Sequence, residues 1–345
     1  MTLTTSLTFV LVMMTATVSS FVVPVKVNTI QPCRSPVQAR RSGINMSASR
    51  ETIDPMVDPE TSLDLGPSDR RTLLKATASS LALGLLTTGS TAFARTVSAS
   101  AAAPGTKIVV LGGNGFVGSR VCEILVSAGA EVVSVSRSGG LPSKWAPGAP
   151  WTERVQWTRC DPLTGDLVDT FKGAAAVVSC VGVIGGKDSD MERGNGDVNA
   201  AAAFQARRAS VPRFVYVSVS KVVPESFGGA VMKGYFAGKK KAEDSVLLAY
   251  PEGGTLIRPS FIYGGNSFEL APPRVPEGYG AAIDALLSSG PLRAIAGISP
   301  GLLKVALSPP VSRDNVALAC VAGALGRATG IFDGADEINA AAGRA

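Results

Sequence analysis

Two side chains with complementary acid–base chemistry stand four residues apart in Tyr235-Phe-Ala-Gly-Lys239. On a helix, residues four apart share a face, one turn from each other. A phenol in that position can donate or accept a proton at a carbonyl oxygen, and a neighbouring ammonium is expected to lower the phenol pKa by its charge. A third group, a hydroxyl at a nearby strand end, would polarise the carbonyl. Ser220 is the first candidate for it and Ser218 the second. This set suits hydride transfer to or from a carbonyl. Taken alone, Tyr-x-x-x-Lys equally describes an amphipathic helix with an exposed lysine, so the surrounding elements have to decide.

Those elements begin with Lys107-Ile-Val-Val-Leu-Gly-Gly-Asn-Gly-Phe-Val-Gly-Ser-Arg120, an apolar run entering a glycine cluster and then an amphipathic segment. The pattern predicts a buried strand, a tight turn and a helix start. Gly112, Gly115 and Gly118 form G-x-x-G-x-x-G, with Asn114, Phe116 and Val117 filling the turn and the helix start. In a dinucleotide-binding turn the first glycine allows the bend, the second lets a pyrophosphate approach the backbone, and the third lets helix and sheet pack closely. The phosphates then rest on the free N–H groups of the helix.

Glu131–Ser136 reads as a second strand. Folds that select NAD usually place an acid at its end. Here the chain runs Ser136-Arg137-Ser138-Gly139, and an arginine fork matches a 2′-phosphate. NADP is therefore favoured over NAD, unless Arg137 is simply a surface loop residue. Val155–Thr158 makes a third strand. Asp161, just beyond it, either faces an adenine or caps a helix near Leu163–Phe171. Ala174–Cys180 is the fourth strand, and the Val181-Gly182 that follows leaves room for a cofactor. A helix over Val198–Arg208 precedes a fifth strand, Arg213–Ser218. The Tyr235 helix runs to about Ala249, and Leu256–Pro259 is a sixth strand. Strands alternating with helices predict an α/β fold, a doubly wound parallel sheet of Rossmann type covered on both faces. The Pro/Gly-rich stretch 264–280 is expected to be a loop over the strand ends, and Pro224–Lys233, that loop and the C-terminal third are expected to set specificity.

Composition removes other chemistries. The 345 residues contain no histidine, which excludes Ser-His-Asp and Cys-His catalysis and every His-containing metal site. No metal site is indicated. The five cysteines form no C-x-x-C, so free thiols are expected. Residues 104–345 hold 24 Lys/Arg against 21 Asp/Glu. That balance indicates no nucleic-acid surface.

The first hundred residues read as an address. Residues 1–20 resemble a signal peptide, and 21–68, basic and rich in Ser and Pro, resemble a plastid transit segment. Together they resemble the bipartite presequence of algae with red-derived plastids; a secreted protein with a linker is the alternative. Asp69-Arg70-Arg71-Thr72-Leu73-Leu74-Lys75, a mildly apolar stretch and Ala92-Phe93-Ala94 make 69–94 a twin-arginine-type thylakoid export signal. The thylakoid lumen is thus the favoured destination, with stroma or thylakoid surface as alternatives. Residues 95–105 read as linker, 106–330 as the nucleotide-binding domain and 331–345 as a tail.

The motifs taken together resemble the short-chain dehydrogenase/reductases, in particular their extended and atypical branches. The resemblance rests on the glycine motif, Asp161, Asn199, Phe214-Val-Tyr-Val-Ser218, Tyr235-x-x-x-Lys239, Arg258-Pro-Ser-Phe-Ile-Tyr-Gly264 and Ser308-Pro-Pro-Val-Ser-Arg-Asp-Asn-Val-Ala317. It covers roughly Thr106 to Leu325 and is strongest to the group of the complex I nucleotide-binding accessory subunit and its plastid relatives. It implies that Gly112, Asn114, Gly115, Phe116, Val117, Gly118, Arg137, Asp161, Val181, Gly182 and Lys239 contact the cofactor. It also implies catalysis by Tyr235, Lys239 and Ser220, with Asn199 as a fourth member. It places the segment from Ser308 in a helix of a small C-terminal substrate-side subdomain. The implied activity is NADP-dependent oxidation or reduction of a small or lipid-like carbonyl or quinone. Ser179-Cys-Val-Gly182 departs from the family's Asn-Ala-Gly, and Val219 splits the doubled serine. An alternative is therefore a catalytically weak nucleotide-binding scaffold associated with a thylakoid membrane or complex. Oligomeric state is open.

Overall fold

The computed structural model describes residues 99–226, 232–264, 269–270, 273–274, 284 and 308–345. The expected signal, transit and export segments lie outside these residues, as do 227–231 and most of 264–280.

The chain runs β1 (Lys107–Leu111), α1 (Phe116–Ser127), β2 (Glu131–Ser136), a 3₁₀ turn (Pro150–Arg154), β3 (Val155–Arg159), α2 (Val168–Phe171) and β4 (Ala176–Ser179). Next come α3 (Asp188–Glu192), a π-helical turn (Arg193–Asp197), α4 (Val198–Arg208), β5 (Phe214–Val217), α5 (Val222–Ser226), α6 (Lys233–Ala249) and β6 (Gly254–Arg258). The short strands β7 (Ile262–Tyr263), β8 (Glu269–Leu270), β9 (Pro273–Arg274) and β10 (Val311–Ser312) follow, then α7 (Arg313–Ala324), β11 (Gly330–Asp333) and α8 (Ala335–Ala342).

The main sheet has seven strands in the order β11-β6-β5-β4-β1-β2-β3, and every pairing in it is parallel. The order reverses direction between β1 and β4, the switch point where Rossmann folds bind their ligands. Alternate residues serve opposite faces. Ile108, Val110, Val178 and Val215 pack under α1, α7 and α8. Val109, Leu111, Val177, Phe214 and Tyr216 pack under α4 and α6. Those two helices meet the sheet through Ala202, Ala203, Ala206 and Ala242, whose size allows close approach.

Five expectations are corrected. The 331–345 tail is folded: β11 adds a parallel edge strand to β6, and α8 buries Ile338, Ala341 and Ala342. Frequent alanine had hidden an amphipathic helix. The segment from Ser308 does not lead into a separate subdomain, because α7 lies flat on the sheet beside α1. A Cβ built on its Gly323 would stand 2.9 Å from Cγ2 of Val215, so the glycine is what permits the contact. The helix expected near Leu163–Phe171 is limited to Val168–Phe171, and β8 and β9 form a small antiparallel ribbon inside the expected loop. Finally, Cys160 is disulfide-bonded and not a free thiol.

The end of the expected linker is tied to the domain. Ala102 N–H donates to Ala128 O at 2.8 Å, and Arg327 donates to Ala101 O at 3.1 Å. Among the described residues no helix is long and apolar enough to cross a membrane.

Candidate functional site

The glycine turn is built as its spacing predicts. Gly112 has φ +76°, a conformation that side chains disfavour. Its N–H donates to Val135 O at 2.8 Å, and its carbonyl accepts from Gly115 N–H at 2.9 Å. A Cβ on Gly118 would overlap the Gly112 carbonyl oxygen and stand 2.8 Å from its carbon. Gly115 is the N-cap of α1, no side chain caps that end, and its first turn holds no acid. The side chains of Phe116 and Val117 are buried, so only their backbone can meet a ligand. Sequence reasoning missed Gly113, where a Cβ would lie 2.8 Å from the Cys122 sulfur and would overlap Ser134. The Gly112-Gly113 doublet was the available signal.

Arg137 and Ser138 are exposed where β2 ends. Asn114 ties this loop to the glycine turn by donating to Ser138 Oγ at 2.9 Å. Ser136 pairs in register with Arg159 at the end of β3, and a Cβ on Gly139 would stand 2.8 Å from the Arg159 Cβ. A second exposed arginine therefore flanks the same loop, and only strand register reveals it. Asp161 accepts from Leu163 N–H at 3.0 Å. It caps a turn there, since the following helix begins only at Val168.

The end of β4 is held from one side by two buried asparagines. Asn199 accepts from Ser179 Oγ at 2.5 Å and donates to Val181 O and Asn195 O. Asn195, on the π-helical turn, donates to Val183 O and accepts from Val183 N–H. Both polar ends of Asn199 are thus engaged, and they hold the end of β4. Asn195 was not anticipated; an irregular turn inside a helical pattern has little sequence signature.

Helix α6 comes close to this structure through Gly234 and Gly238. A Cβ on Gly238 would stand 2.8 Å from Glu192 O and 2.9 Å from the Asn195 Cβ. The G-x-x-x-G interleaved with Tyr235-x-x-x-Lys239 is what sets the helix depth. Lys239 is consequently buried. Its Nζ donates to Val217 O at 2.9 Å and lies 4.8 Å from the Tyr216 ring centre and 5.8 Å from that of Tyr235. Glu243, one turn on, accepts two bonds from the buried Arg258 at 2.8 and 2.6 Å and so fastens α6 to β6.

The electrostatics differ from expectation. Burial lowers the Lys239 pKa to about 8, partly offset by Glu243 and Cys180. Burial raises the Tyr235 phenol above its ordinary value; the ammonium does not draw it down. The charge of Lys239 is spent on Val217 O and the Tyr216 face, and desolvation of both groups dominates.

The two serines also separate. Ser220 donates its N–H to Pro259 O at 3.0 Å and lines a cleft of about 420 Å³ with Ser260, Pro309 and Asp333. Ser218 directly follows the carbonyl that holds Lys239, and its buried hydroxyl has no hydrogen-bond partner among the described residues. Both serines run alongside β6 and the residue after it, since Ser218 N–H also donates, to Ile257 O at 2.7 Å; Ser218 is the one that adjoins the residue holding Lys239.

Glycine turn and α6 converge on one strand end. A Cβ on Gly112 would stand 3.4 Å from the Cys180 carbonyl and 3.5 Å from Val181 Cγ2, and one on Gly182 would stand 3.4 Å from Lys239 Nζ. The uncapped helix start, the glycine cradle and the narrow side chains at this crossing fit a dinucleotide.

Residues 112–265 match the NAD(P)H-binding family. Uncharacterized protein At1g32220, chloroplastic, of Arabidopsis thaliana is 37% identical over 223 residues, which is 62% of this chain and 70% of that protein. MIOREX complex component 2 of Saccharomyces cerevisiae is 41% identical over 80 residues, 23% of this chain and 29% of that protein. Among solved structures, the UDP-glucuronic acid 4-epimerase of Bacillus cereus with NAD matches with 17% identity over 67% of this chain and 78% of its own, at a TM-score of 0.45. The Bordetella bronchiseptica enzyme WbmH with NAD+ matches with 17% identity, 67% and 75% coverage, and a TM-score of 0.46.

Proposed function

Because the chain belongs to the NAD(P)H-binding Rossmann family, we propose that it is an NADP-dependent oxidoreductase of the plastid acting on a small or lipid-like carbonyl or quinone. The observation that carries this reading is the convergence of Gly112 and Lys239 on the Cys180–Gly182 strand end. When bound, the nicotinamide supplies the carbon that gives or takes a hydride. The chain's own residues do the rest. The N–H groups of the first turn of α1 hold the phosphates. Arg137, with Arg159 beside it, holds a 2′-phosphate. Lys239 fixes the ribose side of the site. Tyr235 keeps its proton at neutral pH and delivers it to the substrate oxygen, with Ser218 as the orienting hydroxyl and Ser220 facing the adjoining cleft. A plastid setting is supported by the transit-like segment and by the chloroplastic designation of the Arabidopsis relative. The export-type signal favours the thylakoid lumen over stroma or thylakoid surface.

A second reading is a nucleotide-loaded scaffold or assembly factor of a thylakoid complex. It is favoured by the name of the yeast relative as a component of a complex.

Fluorescence titration of the full chain with NADPH and NADH, followed by quinone and aldehyde panels, tests both. NADPH binding with oxidation by a panel member is the expected result. Binding without oxidation across the panels moves the assignment to the scaffold, and binding of neither nucleotide overturns both.

A further inference from the structure

The first turn of α1 lacks the usual side-chain support. Gly115 caps it without a side chain, and no acid stands in that turn. Gly118 lets the turn press on the Gly112 carbonyl, but a glycine permits close approach without pulling the helix in. The pull comes from α7. Arg313 Nε donates to Phe116 O at 2.7 Å, 197 residues away in the chain, and its Nη2 donates to Ser119 Oγ at 2.8 Å. One guanidinium fork thus spans the first turn. Its central carbon lies 5.0 Å from the Phe116 ring centre, and the same ring meets that of Trp145 at 4.9 Å. Arg313 is itself placed by backbone. Ser312 caps α7 by accepting from Asn315 N–H at 3.0 Å, which makes Arg313 the first residue of that helix. Ser312 also pairs with Tyr263 in the β10–β7 ribbon, and a Cβ on Gly264 would stand 3.0 Å from the Arg313 Cβ. A second tie runs the opposite way between the same helices. Arg120, one residue past the first turn of α1, donates to Asp314 at 2.8 and 3.2 Å, and Asp314 is 38% exposed.

We propose that Arg313 is a positioning residue for the nucleotide: by holding Phe116 and Ser119 it keeps the N–H groups at the start of α1 where a pyrophosphate meets them. This rests on the NAD(P)-binding reading. Arg313 acts through the helix. The pyrophosphate is common to NADPH and NADH, so loss of the arginine weakens both alike, in contrast to loss of Arg137. Two nitrogens of one planar group reach two acceptors here. A lysine ammonium, a point charge on a flexible stem, does not reproduce that fork.

The test titrates the full chain and its Arg313→Gln, Arg313→Lys and Asp314→Asn variants with NADPH and NADH, and follows amide hydrogen exchange of α1 in each without nucleotide. Arg313→Gln is expected to bind both nucleotides roughly tenfold more weakly, the scale of one charged hydrogen bond, and to exchange faster than wild type at the start of α1. Arg313→Lys should lose affinity for both as well, to a smaller degree. Asp314→Asn, which breaks the half-exposed tie between the same helices, should keep both affinities within about twofold. Wild-type affinity in Arg313→Gln, a loss confined to NADPH, or an equal loss in Asp314→Asn overturns the proposal. Where Arg313→Gln fails to fold, Arg313→Lys decides: weaker binding of both nucleotides supports the role, and wild-type affinity overturns it. Wild-type protein that binds neither nucleotide overturns the cofactor reading itself, and faster exchange in Arg313→Gln then marks a structural tie only.

Discussion

Gly182 and Lys239 face each other across the end of β4, with 3.4 Å between the lysine Nζ and the place a Gly182 side chain would start. A Cβ there would be in contact with the ammonium that α6 buries and tighter still, at 3.2 Å, on Asn195 Oδ1. The same strand end touches Gly112 two residues earlier, at Cys180. The glycine turn and Lys239 therefore adjoin the same strand end, and each part of the proposed site can be tested separately.

Gly118→Ala should impair both stability and binding. The added methyl meets backbone, the Gly112 carbonyl, and not a flexible side chain, so turn and helix must separate. A loss of about 1–3 kcal/mol is expected from such overpacking, together with weaker NADPH binding. Denaturant unfolding and fluorescence titration measure the two effects.

Tyr235→Phe should lower turnover by roughly 10²–10⁴, the usual contribution of a positioned proton donor, while NADPH affinity stays within twofold. The ring remains to pack on Phe236, whose centre is 5.3 Å away. Turnover at the wild-type rate in this variant would remove the proton-donor role from Tyr235.

Lys239 should make stability rise with pH. Its pKa falls from 10.5 to about 8 on burial, so between pH 8 and 10 the unfolded chain binds more protons than the folded one, and the unfolding free energy climbs. The penalty is fully present below pH 8, at roughly 3 kcal/mol for a shift of this size. In Lys239→Met the climb should vanish. Tyr235 and the buried thiols of Cys122 and Cys320, all raised by burial, act in the opposite sense as pH rises, so the lysine's part is read as the difference between wild type and Lys239→Met in urea unfolding from pH 7 to 10.

Arg137→Ala should reduce NADPH affinity roughly 10- to 100-fold, since hydrogen bonds to charged groups contribute about 1.5–3 kcal/mol, and should leave NADH affinity unchanged. Arg159→Ala should do the same more weakly. Equal losses for both nucleotides would show that these arginines do not read the 2′-phosphate.

Much of this site was legible along the chain. Apolar runs bounded by glycine located the strands, and Val198–Arg208 was bounded correctly because its helical pattern ends at a turn. The misses share a cause. Asn195 and Gly113 matter through what they touch, and neither residue type announces its neighbours. The α8 helix and β11 were overlooked because alanine and glycine carry little periodic signal, although a sheet edge and a neighbouring helix were waiting to cover them.

By itself the amino-acid order determined the local units: the glycine turn, the alternation of strand and helix, and a phenol and an ammonium one helical turn apart. These depend on backbone torsions and on repeats of two or 3.6 residues, which neighbours in sequence control. Tertiary structure alone decided what those units do to one another. It brought Lys239 against Gly182, bound its ammonium to Val217 O, and tied Asn199 to the end of β4. It also reversed the expected electrostatics of Tyr235 and Lys239, because desolvation is a property of everything packed around a group, and that environment is assembled from residues far apart in the chain.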